Sequence, residues 1–102
     1  MYYEPLYPDY PHLEQVAIPD DAVRLRPPLV KMRERKLELS KEILDWCAAH
    51  VGAYTYAYED AEVFYRSQGT GELRPLRRGY RVVLMRFENP SDMLAFKLRW
   101  ST

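Results

Sequence analysis

The 21 residues from Tyr80 to Trp100, close to the C-terminus, constrain the fold more than any other part of this chain. Tyr80-Arg81-Val82-Val83-Leu84-Met85-Arg86-Phe87 reads as a strand. Val82 and Leu84 fall on one face of it, and Val83, Met85 and Phe87 on the other. A strand that is apolar on both faces belongs at the centre of a small sheet covered on both sides. Glu88-Asn89-Pro90-Ser91-Asp92 follows as a turn with helix-start chemistry. Asn89 is a good N-cap, Pro90 falls at the first helical position, where its missing N–H costs nothing, and Asp92 meets the positive end of the helix dipole. From Met93 to Trp100 a short helix places Met93, Phe96 and Trp100 on one side, with Leu94 and Leu98 beside them. Lys97 and Arg99 occupy its last turn, where cations are favourable. To bury that apolar side the helix must fold back onto a sheet, which makes the fold α+β.

Upstream, the pattern from about Leu29 to about Val51 is helical. At 100° per residue, Val30, Met32, Leu37, Leu39, Ile43, Leu44, Trp46, Cys47 and Val51 fill an arc of roughly 200°. Lys31, Glu34, Arg35, Glu38, Lys41, Glu42 and Asp45 fill the other side. Gly52 suits the residue that closes the helix. The spacing predicts one long amphipathic helix whose wide apolar arc meets more than one surface. Tyr54, Tyr56 and Tyr58 alternate with Thr55 and Ala57, which predicts a strand. Val63, Phe64 and Tyr65 favour a second strand over 61–66, although Ala61 and Glu62 permit a helical turn. Ser67 to Gly79 contains Gly69, Gly71, Pro75 and Gly79 and reads as a basic, mobile loop.

Residues 1–28 do not read as domain interior. They hold Pro5, Pro8, Pro11, Pro19, Pro27 and Pro28, which block helix and central strand. The expectation is an extended arm, in part polyproline II, with Tyr7-Pro8 and Tyr10-Pro11 open to the cis form. Tyr2, Tyr3, Tyr7 and Tyr10 give this arm large contact area at low entropic cost, so they are its candidate partner-binding residues. The domain reading is an arm over 1–28 and one small α+β domain over 29–102. In full, the predicted architecture is the long helix and the short C-terminal helix packed on a small, mostly antiparallel sheet.

Net charge is zero over 102 residues, but the zero hides blocks. Residues 1–21 carry five acids and no Lys or Arg; residues 22–36 carry six cations against Glu34. Residues 37–65 carry six acids against Lys41; residues 66–87 carry six arginines against Glu72. Acidic segments docked on basic ones, within or between chains, explain this pattern without a ligand. The other reading is a nucleic-acid surface. Its candidates are Arg66, Arg74, Arg77, Arg78 and Arg81, with Tyr65 and Tyr80 available for stacking. A pI near 6.7 and the lack of a ribonucleoprotein signature or recognition-helix motif make this the second choice.

Reactive chemistry finds little support. Cys47 and His50 are three apart on the predicted helix and could face each other, but no third group or oxyanion site accompanies them. A metal needs three or four ligands, and only His12 and His50 join Cys47. Gly69-Thr70-Gly71 lacks the Gly-Lys-Ser/Thr ending of a phosphate loop. Asp20-Asp21 and Glu59-Asp60 are adjacent acids that point apart in an extended chain. No catalytic, cofactor-binding or metal residue is assigned, no small-molecule substrate is expected, and the reading is non-enzymatic. A single cysteine allows no intrachain disulfide, which fits a reducing cytosol or a particle assembled there. No apolar run approaches membrane-spanning length, and Met1-Tyr2-Tyr3-Glu4-Pro5 lacks the features of a signal peptide.

The run Arg86-Phe87-Glu88-Asn89-Pro90-Ser91-Asp92-Met93-Leu94-Ala95-Phe96-Lys97-Leu98-Arg99-Trp100 resembles the C-terminal ending of short, mostly uncharacterised proteins encoded by tailed bacteriophages. In those a strand ending in Arg/Lys-Phe precedes a Pro/Asp turn and a helix ending Phe-Lys-Leu-Arg-Trp. The resemblance covers about 15 to 20 residues, carries no catalytic position, and implies a phage origin. The functional expectation is a small viral interaction or structural protein, binding itself or another protein in a virion or in the host cytoplasm. The alternative is a nucleic-acid-binding accessory protein that uses the segment 66–81.

Overall fold

The computed structural model describes residues 1–7, 9–10 and 13–100. Its elements are β1 (Tyr2–Pro5), β2 (Gln15–Ile18), β3 (Ala22–Leu25), β4 (Val30–Arg33), β5 (Lys36–Leu39), α1 (Lys41–His50), β6 (Tyr54–Arg66), β7 (Leu73–Phe87) and α2 (Pro90–Trp100). The fold is α+β with mostly antiparallel strands, as the C-terminal pattern requires. The chain gathers into two compact units. One joins Met1–Asp20 to Glu59–Val82, and the other joins Asp21–Tyr58 to Val83–Thr102. The long strands β6 and β7 contribute residues to each.

In the first unit β1 pairs antiparallel with β2, Tyr2 opposite Ile18 and Pro5 opposite Gln15. β2 pairs antiparallel with β6, Val16 opposite Val63, and β6 neighbours β7. The period of two puts Val16, Ile18 and Val63 on one face, and all three are fully buried. Tyr3 stands on the other face, edge-on to Phe64 at 5.2 Å between ring centres. β6 turns into β7 within residues 67–72, where Ser67 N–H donates to Glu72 O and Gly71 N–H donates to Ser67 O. Gly71 has φ of 71°, a region that costs a side chain about 1–2 kcal/mol and glycine nothing.

These strands correct the reading of residues 1–28 as an extended arm. Their prolines punctuate strands instead of preventing them. Pro5 ends the edge strand β1, Pro19 follows β2, and Pro27-Pro28, joined by a cis bond, separates β3 from β4. An edge strand and strand ends tolerate the missing N–H. The expected cis-capable bonds at Pro8 and Pro11 lie outside the described residues. Residues 61–66 are strand, and the basic loop over 67–79 shrinks to the turn 67–72, because β7 already begins at Leu73.

In the second unit β7 lies between β6 and β3, with Val23 opposite Met85 and Leu25 opposite Val83. Val82, Val83, Leu84 and Met85 are buried in succession, so the two-faced apolar strand is central as expected. The core joins Val23, Leu25, Val83 and Met85 to Val30 and Leu39 of β4 and β5, Ile43 and Cys47 of α1, and Phe96 of α2. Phe96 packs its ring 5.4 Å from that of Phe87, 5.9 Å from Trp46 and 6.4 Å from Trp100. The start of α2 follows the predicted chemistry. Asn89 Oδ1 accepts from Ser91 N–H at 3.0 Å, and the Asp92 carboxylate accepts from Gly52 N–H at 3.0 Å, tying the end of α1 to the start of α2.

The long helix over 29–51 is a second correction. Residues 30–39 form the hairpin β4–β5, Val30 opposite Leu39 and Met32 opposite Leu37, and the helix runs only from Lys41 to His50. The residues that filled a 200° helical arc also alternate on each side of Glu34-Arg35, and pairing puts them on one face. Burial of Val30 and Leu39 against the core outweighs the helix propensity of the Lys, Arg and Glu between them. The true start is Ser40, whose hydroxyl accepts from Ile43 N–H at 3.4 Å. Both turn residues, Glu34 and Arg35, have positive φ, 49° and 64°. This two-residue geometry matches the twist of the strands but favours Asn and Gly. Glu34→Asn with Arg35→Gly should therefore raise stability by about 1 kcal/mol in urea unfolding. An unchanged or lower midpoint would mean that the turn carries no strain.

Candidate functional site

The aromatic residues singled out in the first segment do not share one environment. Tyr2 is half-buried on the inward side of β1, opposite Ile18. Tyr3 is exposed on the other side, against Phe64. Tyr7 and Tyr10 lie in the connection to β2, where Tyr10 N–H donates to Tyr7 O at 2.9 Å and Leu13 N–H donates to Tyr10 O at 3.2 Å. These consecutive three-residue closures repeat an apolar side chain at 7, 10 and 13, and each stays exposed: 50%, 58% and 47%. Leu13 also lines an open recess of 520 Å³ with Tyr65, Arg66 and the turn residues Ser67, Gln68 and Gly71. The recess and the backbone-linked residues Tyr7, Tyr10 and Leu13 all belong to the first unit, and Leu13 is the member of that series that lines the recess. Leu13 and Tyr65 were not linked to each other in the sequence, because only the turns and the β6–β7 hairpin bring them to one recess.

The arginines predicted to contact nucleic acid are carried mostly by β7 and not by a mobile loop. Arg78 pairs with Glu14, and Arg66 donates to the Gly71 carbonyl. Arg86 pairs with Asp21 at 2.7 Å. Two acids of residues 1–21, Glu14 and Asp21, thus meet two arginines of residues 66–87, the kind of contact between segments that the ligand-free reading of the pattern expected. Arg74, Arg77 and Arg81 are exposed on β7.

Cys47 and His50 do not form a reactive pair. Cys47 is buried in the second core, and burial pushes its thiol above the ordinary value, so it stays protonated at neutral pH. His50 instead stacks on Trp46 at 4.7 Å and bonds through Nδ1 to the Trp46 carbonyl at 2.9 Å. Tyr54 has its phenol raised by desolvation first, then by Cys47 and Tyr56. Nothing in this group supplies a nucleophile. Among the described residues no cluster of three or more His, Cys, Asp or Glu side chains is placed to hold a metal ion.

Two other surfaces escaped sequence reasoning. Leu94 and Leu98 are one turn apart on α2 and exposed, the latter 75%. The tip of the β4–β5 ribbon exposes every residue from Lys31 to Lys36. The side chains of Lys31, Arg33, Arg35 and Lys36 have no hydrogen-bonding or ionic partner among the described residues. The signal for the ribbon was the alternation of Val30 and Met32, then Leu37 and Leu39, around a charged dipeptide. It was masked because Glu-Arg is not a recognisable hairpin turn. No described helix is long and apolar enough to cross a membrane.

No protein-family model, curated protein or solved structure matches this chain.

Proposed function

We propose that this is a non-enzymatic interaction protein that binds another protein, or a second copy of itself, through the tyrosine surface of its first thirteen residues. The observation that carries this reading is the exposure of Tyr3, Tyr7, Tyr10 and Leu13 on the first segment, where Leu13 also lines an open recess. Tyrosines at that density resemble the aromatic anchors of interfaces, where large rigid side chains bury area with little entropy to lose. The setting we propose is a phage-encoded product acting in a virion or on a host protein in the cytoplasm. Nucleic-acid binding through Arg66, Arg74, Arg77, Arg78 and Arg81 is the weaker reading, since Arg66 and Arg78 already have partners within the chain.

Removing residues 1–20 is no clean test, because it also removes buried Val16 and Ile18. Tyr3→Ser, Tyr7→Ser and Tyr10→Ser in one variant should leave the circular dichroism spectrum intact. Native mass would be measured by light scattering across a concentration series, and partners captured from a lysate of the source cell would be compared between variant and parent. The expected result is loss of the oligomer, or of a stoichiometric partner, with an affinity drop of tenfold or more, about 1.4 kcal/mol. Association unchanged by the triple substitution would reject the tyrosine surface.

A further inference from the structure

The tip of the β4–β5 ribbon combines three features that local folding disfavours. Arg33 sits directly opposite Lys36, although like charges opposed across a ladder are destabilising. The two residues joining them, Glu34 and Arg35, both occupy the left-handed region without a glycine or asparagine. The side chains of four cations within six residues remain without a partner among the described residues, whereas Arg78 and Arg86 find acids. The ribbon is nonetheless firmly rooted, for Val30 and Leu39 at its base are buried in the core. Met32 is 53% exposed although it faces Leu37, so the ribbon extends past the point where packing supports it. Locally unfavourable choices on a rigid base point to a ligand that offsets them.

The register identifies the face that meets such a ligand. Lys31, Glu38, Arg33 and Lys36 share one side; Val30, Leu39, Met32 and Leu37 share the other. The polar side carries three cations and one acid, and the turn adds Arg35 and Glu34, which leaves the tip with a net charge of two positive units. An anion close to Arg33 and Lys36 would convert their mutual repulsion into two attractions. A ligand that repeats its charges at regular, rigid spacing suits this narrow strip better than the flexible carboxylates of an acidic protein. Duplex DNA presents one charge per about 1.7 Å of its axis. A two-stranded ribbon also fits the major groove of B-form DNA, about 12 Å wide, whereas the A-form groove of duplex RNA is too narrow. We infer that the β4–β5 ribbon contacts duplex DNA by entering its major groove, with Arg33, Lys36, Lys31 and Arg35 on the phosphates. This contact is separate from the tyrosine surface and does not depend on it.

Fluorescence anisotropy with a labelled mixed-sequence duplex of about 24 base pairs tests the inference on the full chain, from about 50 to 200 mM salt. The expected logarithmic salt slope is roughly −3 to −4, the value for four phosphate contacts. Arg33→Ser with Lys36→Ser should weaken binding at least tenfold and flatten the slope by about two. Lys31→Ser with Arg35→Ser should do the same, which guards against a folding defect in either pair. Arg74→Ser with Arg77→Ser should leave binding unchanged. Absence of binding at the lowest salt would overturn the inference. So would a loss that follows Arg74 and Arg77, equal affinity for an RNA duplex, or competition by polyglutamate at equal charge concentration.

Discussion

Replacing Phe96 with alanine should cost about 3–5 kcal/mol, a large share of the stability of a chain this size. Phe96 is fully buried, and its ring meets Phe87 of β7, Trp46 of α1 and Trp100 of its own helix. Truncation removes the ring and leaves a void bounded by stiff aromatic groups, which cannot collapse around it cheaply. The transfer loss and the cavity penalty therefore both apply in full. Phe96→Leu keeps most of the volume and should cost markedly less, about 1–1.5 kcal/mol. Urea unfolding followed by tryptophan fluorescence reads both, since Trp46 and Trp100 report on this cluster. A loss below about 1 kcal/mol for the alanine variant would mean that α2 is not seated on the core.

Ile18→Asp should be more damaging still. Ile18 is fully buried on β2, next to Val16 and opposite Tyr2. A carboxylate there has no partner and must either remain charged in an apolar site or take up a proton to enter it. A cost above about 4 kcal/mol is expected, visible as lost soluble expression or a collapsed melting transition. Tyr7→Asp, a few residues upstream but exposed, should stay within about 0.5 kcal/mol of the parent. The contrast separates a strand from an arm. If the aspartate at 18 were tolerated as well as the one at 7, the first segment would have no place in a sheet.

Two of the errors in reading the chain have one origin. Prolines at 5, 19, 27 and 28 announce where strands stop, and a stretch of four-residue strands between them contains too few positions for alternation to stand out. The charged hairpin over 30–39 satisfies a helical period and a strand period at once, and only its burial decides between them. The candidate surface was half legible for the same reason. Tyr3, Tyr7 and Tyr10 could be named from composition, whereas Leu13 joins Tyr10 through a turn and meets Tyr65 only at the recess that hairpin closure builds. The block charges predicted a pairing of segments, but Glu14 with Arg78 and Asp21 with Arg86 were matters of register.

From linear order alone came the central two-faced strand, the capped C-terminal helix that folds over it and hence the α+β class, because those signals are local and mutually reinforcing. Which short segments become strands, where the helix of the middle region starts and which cations are left without partners depended on contacts between residues far apart in the chain. Such contacts decide whenever several local conformations have nearly equal free energy and burial against a distant neighbour exceeds the difference between them.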